Sequence, residues 1–217
     1  MTDTRPARRV LLLGGARSGK SVAAEAMAAR AAAGGVAGGV AGGVAGGVAG
    51  GEVVYVATAD RRPDDAEWAA RIAAHQQRRP ATWRTVETAD PVPVLREPDR
   101  GVVLLDCVAL WLTRAMDAVD AWDDAAWAAD APTRLGERVN ALVTAWAEAS
   151  GTVIAVSNEV GMGVVPATAA GRRFRDELGR LNVRLAAAAD EAYLVVAGRL
   201  LPLTAPGADP GADPGWA

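Results

Sequence analysis

The sequence feature that most constrains the fold is a short glycine-rich segment near the amino terminus. Residues 14–21 read GGARSGKS and match the pattern G-x-x-x-x-G-K-[S/T] in full. An apolar run, RVLLL at 9–13, precedes the segment, and residues 20–33 after it are rich in helix formers. A strand that enters a glycine turn and continues as a helix is the setting in which this pattern binds phosphate. The sequence therefore predicts a phosphate-binding loop between the first strand and the first helix.

The residue types of this loop are those that a phosphate group requires. Glycines let successive backbone N–H groups point at the anion, and the helix that begins near Lys20 adds its positive dipole end. We expect Lys20 to reach the β- and γ-phosphates and the Ser21 hydroxyl to bind Mg²⁺. The alternative is a chance glycine-rich turn. The position of Lys20 argues against it, because this residue is the only lysine among 23 basic residues.

Four further apolar runs predict the rest of a sheet, and helical patterns separate them. The runs are residues 53–57, 102–105, 152–156 and 192–196, and the helical patterns lie at about 64–79, 107–118, 134–149 and 167–189. Apolar strands that do not alternate with polar residues, each followed by a helix, indicate a parallel sheet that is covered on both faces. The prediction is an α/β, three-layer fold of the P-loop NTPase type, with a mostly parallel central sheet.

Two low-complexity segments interrupt this pattern. Residues 34–51 repeat Gly, Val and Ala, and residues 205–217 contain the repeat GADPGADPG. Gly and Ala gain little from transfer into lipid, so we interpret the first segment as a flexible loop insertion and not as a membrane span. The second is expected to be a disordered tail. The prediction is one phosphate-loop domain over residues 1–204, with an insertion at 34–51 and a tail at 205–217.

Composition excludes several classes of site and partner. Cys107 and His75 are the only cysteine and histidine, which excludes a disulfide framework and any metal site made of several cysteines or histidines. The formal net charge of −3 gives no electrostatic reason to expect nucleic acid or an anionic membrane as a partner. The apolar run before the glycine loop is too short for a signal peptide. We therefore expect a cytoplasmic protein without membrane insertion and without a nucleic-acid partner.

Asp106 is a candidate Mg²⁺ ligand. It ends the apolar run VVLLD, which is where enzymes with a phosphate loop place the carboxylate that holds the metal ion. Apolar runs that end in aspartate are common, so this assignment depends on the phosphate loop itself. We expect Asp106 to act with Ser21 at the metal ion, and the adjacent Cys107 to be a small buried residue.

The single histidine allows two interpretations. His75 shares a helix face with Trp68 and Ile72, which is typical of a half-buried histidine whose hydrogen bonds are satisfied within the core. Arginines at i−4, i+3 and i+4 place positive charge beside the ring: Arg71, Arg78 and Arg79. That charge disfavours the imidazolium form and leaves a neutral nucleophile, and arginines also bind polyphosphates. From the residues alone, both interpretations stand.

Six segments together resemble one family, the bifunctional adenosylcobinamide kinases/adenosylcobinamide-phosphate guanylyltransferases. The segments are GGARSGKS (14–21), YVATAD (55–60), RIAAHQQRRPATWRTVE (71–87), LLDCVALWLT (104–113), VSNEVGMGVVP (156–166) and RRFRDELGRLNVRLAAAADEAYLVVAG (172–198). They cover nearly the whole chain apart from its beginning, the glycine-rich insertion and the tail. The segment around His75 and the NEVGMG segment are specific, because kinases with a phosphate loop in general lack them.

The resemblance implies two reactions late in cobalamin biosynthesis. With ATP or GTP, the enzyme phosphorylates the aminopropanol hydroxyl of adenosylcobinamide. GTP then guanylylates a histidine of the enzyme and releases pyrophosphate, and the GMP passes to adenosylcobinamide phosphate to give adenosylcobinamide-GDP. The family's covalent histidine falls on His75, because Ala74 stands where some relatives have a second histidine.

The resemblance also implies a set of site residues and partners. Lys20 and His75 are the expected catalytic residues, Mg²⁺ at Ser21 and Asp106 is the expected cofactor, and ATP and GTP are the expected substrates. Adenosylcobinamide and its phosphate are the expected partners, and we expect a homo-oligomer, with a trimer as one option. The implied nucleotide contacts are Gly14, Gly15, Ala16, Arg17, Ser18, Gly19, Lys20, Ser21, Thr58, Ala59, Asp60, Gln76, Gln77, Arg78, Arg79, Glu87 and Asp106.

Two rival functions are kept beside this hypothesis. One is an ordinary small-molecule kinase in which His75 is structural, and the other is a nucleotide-binding regulatory module without transferase activity. Asn158 and Glu159 end a predicted strand on the side of the phosphate loop, where they either contact a substrate or cap the strand. The residue pattern does not decide between ATP and GTP for the kinase reaction, and it does not locate the corrinoid.

Overall fold

The computed structural model describes residues 7–34, 51–59, 64–98 and 101–203, and these residues form seven strands and seven helices. The strands are β1 (Arg9–Gly14), β2 (Val53–Ala57), β3 (Arg84–Glu87), β4 (Val102–Asp106), β5 (Thr152–Asn158), β6 (Glu191–Val196) and β7 (Arg199–Pro202). The helices are α1 (Lys20–Ala32), α2 (Ala66–Arg78), α3 (Val92–Arg96), α4 (Val108–Asp117), α5 (Asp124–Ala128), α6 (Ala131–Glu148) and α7 (Ala169–Ala187). The expectations for residues 35–50, for Asp60 and for the tail lie outside the described residues.

One seven-stranded sheet, in the order β3-β2-β4-β5-β1-β6-β7, forms the centre of the fold. All neighbouring strands in it are parallel except β6 and β7. β5 therefore lies between β1, which leads into the glycine loop, and β4, which ends at Asp106. In register, Gly14 lies opposite Asn158 and Asp106 lies opposite Val156. The segments that follow β1, β2, β4 and β5 thus meet at one edge of the sheet, where open α/β sheets bind ligands.

Helices cover both faces of this sheet. Consecutive side chains of a strand point to opposite faces, and Val10, Leu11 and Leu12 of β1 are all fully buried. α1 packs against β1, β2, β4 and β5, whereas α4, α6 and α7 pack against one another and α4 contacts β5. The prediction of a three-layer α/β fold with a mostly parallel sheet is confirmed. In the described part of the chain, no helix is long and apolar enough to cross a membrane.

The sequence analysis missed two strands, β3 and β7, and two short helices, α3 and α5. β3 reads RTVE and lies at an edge of the sheet with three of its four residues exposed, so it contains no apolar run that would mark it. β7 reads RLLP and pairs with β6 through a tight turn in which Ala197 and Gly198 have positive φ. Short edge strands depend on their neighbour and not on their own composition, which explains both omissions.

The two ends of the glycine-rich segment lie close together in the described fold, between α1 and β2. The N–H of Gly51 donates to the carbonyl oxygen of Ala32 at 2.9 Å, so the chain returns where α1 ends. Gly34 has a φ of 89°, and its N–H donates to Ala31 at 3.2 Å, as is common just beyond a helix. β2 then begins at Val53.

A buried polar link attaches the end of β5 to α7. The Ser157 hydroxyl donates to Oδ1 of Asn182 at 2.6 Å, and Nδ2 of Asn182 donates to the carbonyl oxygen of Asn158 at 3.0 Å. Ser157 and Asn182 are both buried, so water has little access to the hydrogen bond between their side chains. The link holds the end of β5 beside Gly14, its partner in register.

We expect Asn182→Ala to lower the free energy of unfolding by about 1–3 kcal/mol, because it leaves the buried Ser157 hydroxyl without its partner. Urea unfolding followed by circular dichroism measures this change. Asn140→Ala is the matched control. Asn140 is exposed on α6 and accepts a hydrogen bond from Arg184, so its loss should cost no more than about 0.5 kcal/mol. Equal losses in the two variants would contradict the buried link.

Candidate active site

The glycine loop between β1 and α1 has the backbone geometry that its sequence predicts. φ is 57° at Arg17 and 96° at Gly19, and glycine adopts this left-handed region without strain. Gly14 has no room for a side chain, since a Cβ there would lie 2.6 Å from the carbonyl oxygen of Val195 and 2.7 Å from Oγ of Ser18. The two motif glycines are therefore required for different reasons. Gly14 is required because a side chain would not fit, and Gly19 because of its backbone conformation.

The polar groups of the loop suit an anion. Lys20 is buried, with 8% of its surface exposed, and its Nζ donates to the carbonyl oxygen of Gly15 at 3.1 Å. Within the described residues, no side chain caps the N-terminus of α1 at Gly19, and Oγ of Ser18 is buried without a hydrogen-bond partner. N–H groups at an uncapped helix N-terminus bind phosphate well.

A cavity of about 480 Å³ lies next to the loop, within the size range of small-molecule sites. It collects side chains from α1, β2, α2, β3, β4, α4 and β5, which the sheet topology brings to one edge. Its polar lining is formed by Lys20, Ser21, His75, Gln76, Arg79, Thr85, Glu87, Asp106 and Asn158. Its more apolar lining is formed by Tyr55, Ala57, Ala59, Ala69, Ile72, Ala73, Cys107 and Leu110.

The carboxylate of Asp106 is held in place from β2. The Tyr55 hydroxyl donates to Oδ2 of Asp106 at 2.8 Å, and burial together with the charge of Asp106 raises the pKa of Tyr55. The guanidinium of Arg79 lies 3.6 Å from the centre of the Tyr55 ring, close enough for a cation–π contact. Tyr55 therefore keeps its proton and acts as a fixed donor to Asp106.

Thr58 and Cys107 form a buried connection behind the cavity. The Thr58 hydroxyl donates to the carbonyl oxygen of Cys107 at 2.8 Å and accepts from its N–H at 3.0 Å. Thr58 is fully buried, so it connects the segments that follow β2 and β4. Burial, and then the charge of Asp106, raises the pKa of Cys107 to about 12, so its thiol stays protonated at neutral pH and is a poor nucleophile.

His75 lies in the last turn of α2 and lines the cavity, with 24% of its side chain exposed. Nη2 of Arg78 lies 3.2 Å from Nδ1 of His75. Oε1 of Glu25, on α1, lies 3.9 Å from the same nitrogen, and Arg78 forms two hydrogen bonds with the Glu25 carboxylate. The ring therefore faces an ion pair, whereas the sequence analysis expected positive charge alone.

Of the three arginines expected around the imidazole ring, one is found there. Arg78 contacts the ring, but Nε of Arg79 donates to the backbone carbonyl oxygen of His75 at 3.0 Å. Nη1 of Arg79 donates to the Thr85 hydroxyl at 3.1 Å, so this side chain crosses the cavity wall instead of surrounding the imidazole. The side chain of Arg71 lies outside the described part of the structure.

The cavity brings together about half of the predicted site residues, and their roles stay predictions. The predicted residues that line it are Lys20, Ser21, Ala59, His75, Gln76, Arg79, Glu87 and Asp106. The predicted residues that are described but do not line it are Gly14, Gly15, Ala16, Arg17, Ser18, Gly19, Thr58, Gln77 and Arg78. Asp60 lies outside the described residues.

Asn158 and Glu159, at the end of β5, were expected either to contact a substrate or to cap the strand, and the structure places them differently. Asn158 lines the cavity. Glu159 caps its own loop, because its Oε1 accepts from the N–H of Gly161 at 2.7 Å. The sequence alone could not assign these roles, since both residues are polar and follow the same strand.

Sequence reasoning missed Glu25 and the role of Tyr55. Glu25 lies one helical turn beyond Ser21 on α1, and that spacing was the available signal that it faces the site. Its partners His75 and Arg78 are about 50 residues further along the chain, and only the packing of α2 against α1 shows the pairing. Tyr55 was noticed only as part of an apolar strand.

Ser21 and Asp106 fit a magnesium ion. Both line the cavity beside the glycine loop, and oxygen atoms are the ligands that Mg²⁺ prefers. The described residues contain no group of three or more His, Cys, Asp or Glu side chains that could hold a metal ion by themselves. The donor set therefore suits an ion that takes its remaining ligands from phosphate oxygens and water, as Mg²⁺ does in nucleotide sites.

Comparisons with known proteins identify the family of this chain. The model of one family, cobinamide kinase / cobinamide phosphate guanyltransferase, matches residues 10–203. The bifunctional adenosylcobalamin biosynthesis proteins CobU of Salmonella typhimurium and CobU of Escherichia coli are each 38% identical over 198 residues, which span 87% of this chain and 96% of each relative. The bifunctional adenosylcobalamin biosynthesis protein CobP of Pseudomonas aeruginosa is 38% identical over 198 residues, spanning 90% of this chain and 96% of the relative.

The match covers the glycine loop, the segment around His75 and the strand that ends at Asp106, so it includes every element that lines the cavity. The chain therefore belongs to the cobinamide kinase / cobinamide phosphate guanyltransferase family and is a bifunctional enzyme of cobalamin biosynthesis.

Proposed function

We propose that the chain carries out both reactions of its family in the cavity beside the glycine loop, with Lys20 serving phosphoryl transfer and His75 serving guanylyl transfer. The observation that supports this proposal is that both side chains line one cavity. ATP or GTP is the phosphoryl donor in the first reaction, and GTP is the guanylyl donor in the second. Adenosylcobinamide and then its phosphate are the acceptors.

Only the aminopropanol arm of the corrinoid enters this cavity, and the corrin ring stays outside it. A volume of about 480 Å³ suits a nucleotide-sized ligand, whereas an adenosylated corrinoid is considerably larger. The aminopropanol arm carries the hydroxyl that reacts, and it is thin and flexible enough to reach the cavity floor. The macrocycle then stays at the mouth of the cavity.

In the first reaction, the glycine loop holds the triphosphate and the γ-phosphoryl group passes to the hydroxyl of the arm. Lys20, buried at the start of α1, supplies positive charge to the phosphate oxygens. Ser21 and Asp106 would hold Mg²⁺, which neutralises charge on the triphosphate. Tyr55 keeps the Asp106 carboxylate in one orientation through its hydrogen bond. Phosphoryl transfer depends mainly on such positioning and charge neutralisation.

In the second reaction, a neutral nitrogen of His75 attacks the α-phosphorus of GTP. The N–P bond forms as the bond between the α-phosphorus and the bridging oxygen breaks, and pyrophosphate leaves with that electron pair. A phosphate oxygen of the corrinoid phosphate then attacks the same phosphorus and displaces the imidazole. A covalent intermediate divides one difficult transfer into two easier ones. Cys107 also lines the cavity, but burial keeps its thiol protonated, which makes it a poor nucleophile.

We expect His75→Ala to abolish covalent labelling of the protein by GTP that carries a radioactive α-phosphorus. The measurement is retention of label after denaturation, and the label should be labile in acid and stable in alkali, as a phosphoramidate is. GTP labelled at the γ-phosphorus is the matched control and should leave no label, because pyrophosphate departs. Equal labelling of the wild type and His75→Ala would refute His75 as the nucleophile.

We expect Lys20→Ala to slow phosphorylation of cobinamide by about 10²–10³-fold, the usual effect of removing one donor to a developing negative charge. Lys20→Arg should recover little of this rate, because the planar guanidinium does not fit a buried position shaped for a compact ammonium. The measurement is transfer of the γ-phosphoryl group to the corrinoid at saturating nucleotide. Arg30→Ala, which removes a positive charge from the exposed end of α1, is the control and should retain the rate. A full rate in Lys20→Ala would overturn the assignment of the loop.

We expect Asp106→Asn to raise the Mg²⁺ concentration at half-maximal kinase rate by about 10-fold or more, since a carboxylate holds this ion better than an amide does. The measurement is a magnesium titration at fixed nucleotide concentration. Asp176→Asn on the exposed side of α7 is the control and should leave the titration unchanged. An unchanged magnesium requirement in Asp106→Asn would remove Asp106 from the metal site.

A further inference from the structure

Three side chains from two helices form one hydrogen-bonded cluster at the edge of the cavity. Glu25 of α1 accepts two hydrogen bonds from Arg78 of α2, from Nε at 3.3 Å and from Nη2 at 3.2 Å. The same Nη2 lies 3.2 Å from Nδ1 of His75, and Oε1 of Glu25 lies 3.9 Å from that nitrogen. Glu25 has 11% of its side chain exposed, so its carboxylate is largely shielded from water. We call these three residues the Glu25 cluster.

The contact with Arg78 defines the state of the imidazole. A guanidinium group only donates hydrogen bonds, so Nδ1 of His75 must be the acceptor. In a neutral ring, Nε2 then carries the proton. The ring lone pair that is able to attack phosphorus is engaged by Arg78. The cluster is therefore in a resting arrangement, because neither ring nitrogen offers a lone pair to GTP.

The same cluster contains the group that can reverse this state. If Nδ1 carries the proton, it needs an acceptor, and Arg78 cannot serve as one. Oε1 of Glu25, at 3.9 Å, is less than 1 Å beyond a normal hydrogen-bond distance. Glu25 is fixed relative to the glycine loop, because it lies one turn beyond Ser21 on the same helix. Arg78 is more exposed, with 39% of its side chain accessible, so it is the partner that is able to turn away.

We propose that Glu25 is the positioning residue of guanylyl transfer: its carboxylate replaces Arg78 at Nδ1 of His75, accepts a hydrogen bond from the Nδ1–H group and so directs the Nε2 lone pair at the α-phosphorus of GTP. The inference rests on the proposed function of His75. The triphosphate drives the exchange, because it offers Arg78 a more highly charged partner than Glu25.

The atoms and charges of this step balance. Nε2 donates its lone pair to form the N–P bond, and the electron pair of the broken P–O bond leaves with pyrophosphate. Before the attack, the ring gives its Nε2 proton to water and takes up a proton from water at Nδ1, so it stays neutral while the lone pair moves to Nε2. The imidazole keeps the Nδ1 proton during the attack and becomes positively charged. The Glu25 carboxylate stabilises that charge, and its shielding from water makes the attraction stronger than it would be at an exposed site. When the corrinoid phosphate takes the GMP, the ring returns to its neutral form.

A single histidine makes this exchange directly measurable. In protein grown with ¹⁵N-labelled histidine, every imidazole nitrogen signal belongs to His75, and nitrogen NMR separates the two tautomers. The free enzyme should show the Nε2–H form. A GTP analogue with a methylene group between the α- and β-phosphorus, which cannot be cleaved there, should convert the ring to the Nδ1–H form. Persistence of the Nε2–H form with the bound analogue would overturn the proposal.

Kinetics of two variants provide the second measurement. We expect Glu25→Gln to slow formation of the GMP–protein label by about 10²-fold, within the usual range for loss of a group that assists proton placement. Phosphorylation of cobinamide should fall far less, by no more than about 3-fold, because that reaction does not use the imidazole. Glu25→Asp restores a carboxylate and should recover part of the labelling rate. Glu137→Gln, exposed on α6, is the matched control and should behave as the wild type does.

The outcomes separate this inference from the function on which it rests. A wild-type enzyme that takes no label from GTP overturns both. Labelling of the wild type and of Glu25→Gln at equal rates retains His75 as nucleophile and overturns the role of Glu25. Equal losses of both reactions in Glu25→Gln, without recovery in Glu25→Asp, would indicate a purely structural residue and would also overturn it.

Discussion

The arrangement of the site depends on one constraint, the parallel register of β1, β5 and β4. Parallel neighbours end at the same edge, so the glycine loop, Asn158 and Asp106 must all lie on one side of the sheet. Strands in a sheet are about 4.8 Å apart, so the intervening β5 separates β1 from β4 by about 10 Å. That separation leaves room for a triphosphate between the lysine of the loop and the carboxylate. The buried link from Ser157 through Asn182 keeps β5 in position, and it therefore maintains the width of the site.

The site assembles its charges in pairs before any ligand is bound. Asp106 accepts from Tyr55, and Arg79 lies over the face of the same ring. Glu25 accepts from Arg78, which in turn contacts His75. When a polyphosphate enters this site, the cationic side chains already have partners within the protein. Binding therefore requires these side chains to exchange their protein partners for phosphate oxygens. Pairing of this kind lowers the cost of keeping charged groups near a partly apolar cavity in the free enzyme.

Local sequence signals were sufficient for much of the fold and for part of the site. Five strands could be predicted from their apolar runs, because each of these strands is buried on both faces of the sheet. The position of Lys20 could be predicted from the glycine motif, because the backbone conformation of that loop depends on local residues. The edge strands β3 and β7 gave no such signal, since exposed residues form them. The sequence also did not predict that Glu25 contacts His75, or that Arg79 lies over Tyr55 and not beside the imidazole. Each depends on which side chain α2 places against α1 or against Tyr55, and spacing within one helix does not determine packing between elements.

The hydrogen bond from Gly51 to Ala32 has a consequence for engineering this enzyme. It brings the two ends of the glycine-rich insertion together, so the described fold is closed at that point whatever lies between them. The entropic cost of a longer loop grows only with the logarithm of its length. The described residues at this junction, Ala32–Gly34 and Gly51, are not among those that line the cavity. This junction is therefore a natural place to graft an affinity tag or a fluorescent domain, because a graft there would enter and leave the described fold at two hydrogen-bonded neighbours.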